Sequence, residues 1–230
     1  MPGLVKLCGM RTPEDARAAI KAGADLIGLV FAPSRRWVSL EEARAICRTV
    51  RESRNPPRIV GLFVDAPVDE IAMIASALEL DLVQLHGNEP PEVLARLGWP
   101  ALKAMRLRPG ESLEAACDRI APYFSRERNP LAILLDAYHP SLLGGTGQIV
   151  DWTLAAELAA RFPIILAGGL RPETVAEAIA LVRPLGVDVS SGIERDGHKD
   201  PQLMQAFVAA ARRAFLTLDR PAEIRIGGKR

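Results

Sequence analysis

The chain has 230 residues, 49% of them apolar and 25% charged, with a formal net charge of +1. That is ordinary globular composition, and it excludes an electrostatic case for a nucleic acid or an anionic membrane as partner. No apolar run is long enough to span a bilayer, and the odd, widely spaced Cys8, Cys47 and Cys117 argue against a disulfide framework and for a reducing cytoplasm.

The N-terminus is expected to carry no leader, because it runs straight into a first strand from Gly3 to Cys8. Thr12-Pro13-Glu14-Asp15 then opens a helix that ends near Gly23: Thr12 suits the cap and Pro13 the first turn. Leu26 to Phe31 is the second strand. After a loop holding Ser34-Arg35-Arg36-Trp37, Ser39-Leu40-Glu41-Glu42 forms a capping box for the second helix. Arg58 to Val64 is the third strand, with a helix from about Pro67 through Leu78. Leu82 to Leu85 is the fourth, followed by a helix near Pro91 to Leu97, and Ala101 to Met105 is the fifth. A helix over Ser112 to Ala121 leads to the sixth strand, Ala132 to Leu135, which ends at Asp136.

A long glycine-bearing loop, Tyr138 to Gly147, precedes a helix that Asp151 can cap. Ile164 to Ala167 is the seventh strand, with Pro172 opening its helix. Gly186 to Val189 is the eighth, and Pro201 opens the last helix, to about Leu218. Residues 1–218 therefore read as one domain and 219–230 as a polar tail. Strands and helices alternating eight times give an α/β fold with a parallel sheet. A single closed (β/α)8 TIM barrel fits better than an open sheet. The first turn lacks a dinucleotide fingerprint, and Gly168-Gly169 and Ser190-Ser191 instead follow strands seven and eight, where such barrels build a phosphate site.

Active sites of this architecture lie at the C-terminal ends of the strands, and alternation along each strand says which side chains share a face. Lys6 and Cys8 share one on the first strand, Gln84 and His86 on the fourth, and Asp188 and Ser190 on the eighth. Asp136 lies opposite Ile133 and Leu135. The mouth would hold a thiol, two carboxylates and an imidazole, acid–base equipment with no metal-ligand spacing and no cofactor motif. Taken singly, each has a plainer reading: Cys8 as a small core residue, Asp136 as a helix cap, His86 as a turn partner, Arg35 and Arg36 as solvated charges.

Six stretches in this order resemble phosphoribosylanthranilate isomerases of tryptophan biosynthesis. They are Lys6-Leu7-Cys8-Gly9, Val83-Gln84-Leu85-His86-Gly87, Leu134-Leu135-Asp136, Gly144-Gly145-Thr146-Gly147 with Asp151-Trp152, Leu166-Ala167-Gly168-Gly169-Leu170, and Asp188-Val189-Ser190-Ser191-Gly192-Ile193-Glu194. The resemblance implies Cys8 as general base, Asp136 as general acid, and an arginine holding the anthranilate carboxylate. Arg36 is preferred over Arg35 because it directly precedes the aromatic residue. It also implies His86, Asp188, Gly147, Gly168, Gly169, Ser190 and Ser191 around a phosphorylated small-molecule substrate, no cofactor, and a cytoplasmic monomer or homodimer. Alternatives are an epimerase or an indoleglycerol-phosphate synthase type of barrel, or a silent barrel that binds a phosphometabolite.

The implied Amadori rearrangement asks an acid to keep its proton at neutral pH, so Asp136 should be buried. It asks the thiol for a thiolate, which Lys6 on the same face is expected to favour. Arg106 to Glu111 has no role legible in the sequence.

Overall fold

The computed structural model describes residues 3–108, 110–124, 129–136 and 152–218. The expected glycine-bearing loop from Tyr138 to Gly147, the cap Asp151 and the tail 219–230 lie outside the described residues. Eight parallel strands alternate with helices: β1 (Leu4–Cys8), α1 (Pro13–Ala22), β2 (Leu26–Val30), α2 (Leu40–Arg51), β3 (Arg58–Phe63), α3 (Val68–Ala77), β4 (Leu82–Leu85), α4 (Glu92–Arg96), β5 (Ala101–Arg106), α5 (Leu113–Phe124), β6 (Ala132–Asp136), α6 (Trp152–Ala159), β7 (Ile164–Ala167), α7 (Val175–Val182), β8 (Gly186–Val189) and α8 (Pro201–Thr217). The strands follow one another in chain order around a closed barrel. β1 seals it by pairing with β8 in the register Leu4↔Gly186 to Leu7↔Val189.

Alternation sorts the apolar side chains into two layers. Val5, Leu7, Ile27, Leu29, Val83, Leu85, Ile133, Leu135, Leu166 and Val187 pack outward in one buried cluster with the helices. Leu26, Val60, Leu82, Leu102, Ala104, Ala132, Leu134, Ile165 and Ala167 fill the inside as a second cluster. A one-residue slip in any strand would exchange the two sets, so burial on both faces fixes the register. Above the inner cluster sit the polar residues of the same parity, and that places the site.

The helix starts follow their local chemistry. Thr12 and Ser39 both close full capping boxes, with Asp15 and Glu42 as the reciprocal partners. Asp200 caps α8 by accepting from the backbone of Gln202 and Leu203.

Three expectations are corrected. β5 runs one residue beyond Met105, to Arg106. α5 continues past Ala121 and through Pro122 to Phe124, held by the Tyr123 hydroxyl on the Glu89 carbonyl at 2.7 Å and by Phe124 stacking on Phe162. Beyond β8, a three-residue 3₁₀ turn, Ser191–Ile193, leads into an unforeseen hairpin of β9 (Glu194–Arg195) and β10 (His198–Lys199).

Candidate active site

Cys8 ends β1 facing the barrel interior, 5% exposed, in a small cluster with Val30, Ala32 and Leu62. Its neighbour across the ladder is Gly28, where a β-carbon would lie 2.6 Å from the Cys8 sulfur. Glycine at 28 is therefore what leaves room for the thiol to point inward. Two residues earlier on the same face of β1, the fully buried Lys6 donates to Asp188 at 2.8 Å and also interacts with the Cys8 sulfur. Burial alone would lower its pKa, but the Asp188 carboxylate and the Cys8 sulfur outweigh burial and raise Lys6 above its ordinary value. A fixed ammonium thus stands beside the thiol.

Asp136 closes β6 on the opposite part of the mouth. Burial raises its carboxyl above the ordinary value, the Arg106 guanidinium opposes that, and the Asp188 carboxylate adds to it. The proton retention asked of an acid is therefore present in direction. The His86 imidazole faces Asp136, Nε2 lying 3.9 Å from Oδ2. Its other nitrogen, Nδ1, is 2.8 Å from the amide nitrogen of the fully buried Gln84. Burial first, and the Lys6 charge second, depress the His86 pKa, so the ring is neutral at physiological pH. With Nδ1 accepting from Gln84, the ring proton sits on Nε2, toward the acid.

The two arginines of the β2–α2 loop converge on one carboxylate. Arg36 reaches Glu194 with Nε and Nη2 at 2.6 and 2.9 Å, Arg35 adds a contact at 2.7 Å, and Lys199 another at 2.9 Å. Arg36 is the more enclosed, its side chain 22% exposed against 60% for Arg35. It lies over Gly9, a left-handed residue at φ 79°, where a β-carbon would meet the Arg36 Cδ at 2.5 Å. Arg11 braces the group by donating to the carbonyls of Arg35 and Gly197 and contacting His198.

At the expected phosphate corner, Gly168 and Gly169 follow β7 with φ of 89° and 66°, and Ser190 and Ser191 follow β8. The Ser190 hydroxyl is already engaged, donating to the Cys8 carbonyl at 3.1 Å, and Lys199 donates to the Ser190 carbonyl at 2.9 Å. Ser190 therefore ties β8 to β1. Gly147 lies outside the described residues. Among those residues no group of His, Cys, Asp and Glu has the arrangement of a metal site.

Comparison with known proteins decides the family. The sequence profile described as N-(5'phosphoribosyl)anthranilate (PRA) isomerase matches residues 5–210. The chain belongs to the phosphoribosylanthranilate isomerase family. The N-(5'-phosphoribosyl)anthranilate isomerase of Roseiflexus sp. (strain RS-1) is 46% identical over 215 residues, covering 91% of this chain and 98% of that one. Among solved structures, the phosphoribosyl anthranilate isomerase of Thermotoga maritima superposes with a TM-score of 0.78 at 35% identity, over 92% of this chain and 99% of its own. Another, solved in complex with reduced 1-(o-carboxyphenylamino)-1-deoxyribulose 5-phosphate, gives 0.76 at 34%, with the same coverage. The chain is thus an isomerase of tryptophan biosynthesis, and the epimerase and synthase readings fall away.

Seen as a phosphoribosylanthranilate isomerase, the molecule adds four residues that sequence reasoning left without a role. Gln84 shares the inward face with His86 and fixes its ring. Glu194 ends the motif after β8, and its partners reach it only through the hairpin and the β2–α2 loop. Lys199, whose side chain is 2% exposed, had no sequence signal, because its strand is two residues long. Arg106 was missed by one position: counting alternation one step past Met105 puts it on the face of Leu102 and Ala104. The segment after it also gains a structural role. Arg119 pairs with Glu111 and donates to the Arg106 carbonyl, while the Arg108 backbone donates to Glu111.

Proposed function

We propose that this isomerase converts N-(5-phosphoribosyl)anthranilate to 1-(2-carboxyphenylamino)-1-deoxyribulose 5-phosphate by an Amadori rearrangement, with Asp136 as general acid and Cys8 as general base. Asp136 gives its proton to the furanose ring oxygen. The bond from that oxygen to C1′ breaks, and the anthranilate nitrogen shares its electron pair with C1′, leaving an iminium and a free 4′-hydroxyl. The Cys8 thiolate then removes the hydrogen on C2′, and the released pair neutralises the iminium. The enolamine so formed tautomerises to the aminoketose, and the atoms of substrate and product balance.

The observation that carries this reading is a chain of charges across the mouth. Lys6 donates to Asp188 at 2.8 Å and feels the charge of the Cys8 sulfur on its own face of β1, and Asp188 acts in turn on Asp136. Base and acid thus belong to one electrostatic unit, in which burial pushes the carboxyl toward its protonated form. In the same proposal Arg36 grips the anthranilate carboxylate; a carboxylate of this chain, Glu194, already sits on that guanidinium fork in the bidentate geometry such a ligand takes. Gly168, Gly169 and Ser191 hold the phosphate with Ser190 as brace, and Asp188 and His86 position the sugar around the acid. Phosphate binding contributes orientation rather than chemistry.

Free thiols at Cys8, Cys47 and Cys117 fit the reducing cytoplasm. Among the described residues no helix is long and apolar enough to cross a membrane.

Steady-state kinetics on Cys8→Ala and Asp136→Asn test the assignment. Each should lose about 10²–10⁴-fold in kcat with KM little changed. Wild-type turnover by either variant rejects the corresponding role.

A further inference from the structure

Asp136 has to meet two opposed demands. It must hold a proton at neutral pH, and it must give that proton up readily when the sugar ring opens. Burial works toward the first by raising the carboxyl above its ordinary value. The groups facing the carboxyl decide the second, and among the described residues they come from three strands. β4 presents the neutral His86 at 3.9 Å. β8 presents Asp188, whose charge is largely committed to Lys6 of β1. β5 presents Arg106, with Nε 3.7 Å from Asp136 Oδ2. β7, the other neighbour of β6, offers only Ala167 at this level, since Asp136 and Ala167 are ladder partners. Arg106 and Asp136 are themselves ladder partners, so the guanidinium is held beside the acid by the barrel register. Its backbone is fixed further by Arg119, which donates to the Arg106 carbonyl at 3.0 Å.

We propose that Arg106 is a positioning residue that acts through Asp136: its guanidinium stabilises the carboxylate that forms there as the proton passes to the ring oxygen. The inference rests on the reading of Asp136 as the acid. Arg106 makes no bond to the reacting atoms in this scheme. It lowers the barrier by meeting negative charge where that charge develops, from a position that needs no rearrangement during the step. Burial and the guanidinium then work in balance, one keeping the acid loaded and the other easing its discharge. The Arg106 side chain is 69% exposed, so its influence passes partly through solvent and is open to screening by salt.

The test is the single-turnover rate of N-(5-phosphoribosyl)anthranilate conversion against pH, at low and high ionic strength, for wild type, Arg106→Gln, Arg106→Lys and Asp136→Asn. Arg106→Gln should lower the plateau rate about three- to tenfold, a weaker acid transferring its proton more slowly. The same change should move the high-pH limb to higher pH, because the carboxyl then keeps its proton longer. Added salt should move the wild-type limb in that direction and leave the Arg106→Gln limb in place. Arg106→Lys should restore most of both effects. A limb that stays put or moves downward in Arg106→Gln overturns the proposal, as does a lysine variant no better than glutamine. Asp136→Asn separates the two failures. If it turns over normally, the acid assignment itself is wrong. If it is inactive while the Arg106→Gln limb matches wild type, only the role of Arg106 is lost.

Discussion

Glu194 takes on Arg35, Arg36 and Lys199 with a single carboxylate whose side chain is 6% exposed. Burial alone would raise its pKa; the hydrogen bonds from Arg36 and Lys199 and their charges outweigh burial and bring it down to about 2. A carboxylate depressed in the folded state contributes stability that is fully present above its unfolded value, near 4.5, and is lost as pH falls toward about 2. The contribution is on the order of 3 kcal/mol. Urea unfolding from pH 7 down to pH 2 should therefore find Glu194→Gln less stable than wild type at neutral pH, with the gap closing as the pH falls through that window. A gap that stays constant would mean the carboxylate's charge is not what holds the loops. The sequence placed Glu194 in a motif, and the family resemblance implied Arg36 as a grip for a carboxylate of the substrate. What it did not show is their mutual contact, because residues 158 positions apart meet only after the barrel has closed.

At the scale of elements, alternation was the legible signal. Each strand from β1 to β8 is bounded by turn residues and buries both faces, so strand order and inward parity follow from the pattern alone. The β9–β10 hairpin has two residues per strand and no period to read. A lysine inside β5 was equally opaque. Lys103 is 2% exposed and faces the helix layer. There it donates to Glu89 at 2.7 Å and to the Gly87 carbonyl at 2.6 Å, while Glu89 accepts from the backbone of Asp65 and Gly87. This pair joins β5 to the loop after β4, the loop that begins with His86. Breaking one half of a buried pair leaves the other charge uncompensated, a loss of about 3–5 kcal/mol. Lys103→Met should lower the urea midpoint accordingly, and Lys103→Met with Glu89→Gln should recover most of the loss. A single variant as stable as wild type would show that water or another group satisfies Glu89.

Across the whole molecule, the barrel separates its two ends. Catalytic candidates occupy the C-terminal ends of the strands, whereas the opposite end is closed by a clamp from the last helix. Arg212 of α8 donates to the Gly3 carbonyl at 2.8 Å and the Gly23 carbonyl at 3.0 Å and pairs with Asp25 at 2.7 Å. Asp25 in turn accepts from the Val5 backbone at 2.7 Å. These contacts pin the entries of β1 and β2 to the C-terminal helix, beside the β1–β8 seam that turns a sheet into a barrel. The sequence favoured closure from where its glycines and serines fall, yet nothing in it marked Arg212, since the three partners lie about two hundred positions upstream. Removing the guanidinium while keeping an apolar stem, as in Arg212→Met, deletes charge-assisted hydrogen bonds at a half-buried site and should cost about 1–3 kcal/mol. The urea midpoint should fall with the slope unchanged, because the same surface is exposed on unfolding. Activity should stay at the wild-type level below the transition, since the clamp lies at the far end of the strands from Cys8 and Asp136. A fall in kcat matching the fall in stability would show that the two ends are coupled through the strands, and an unmoved midpoint would show that the seam holds without its clamp.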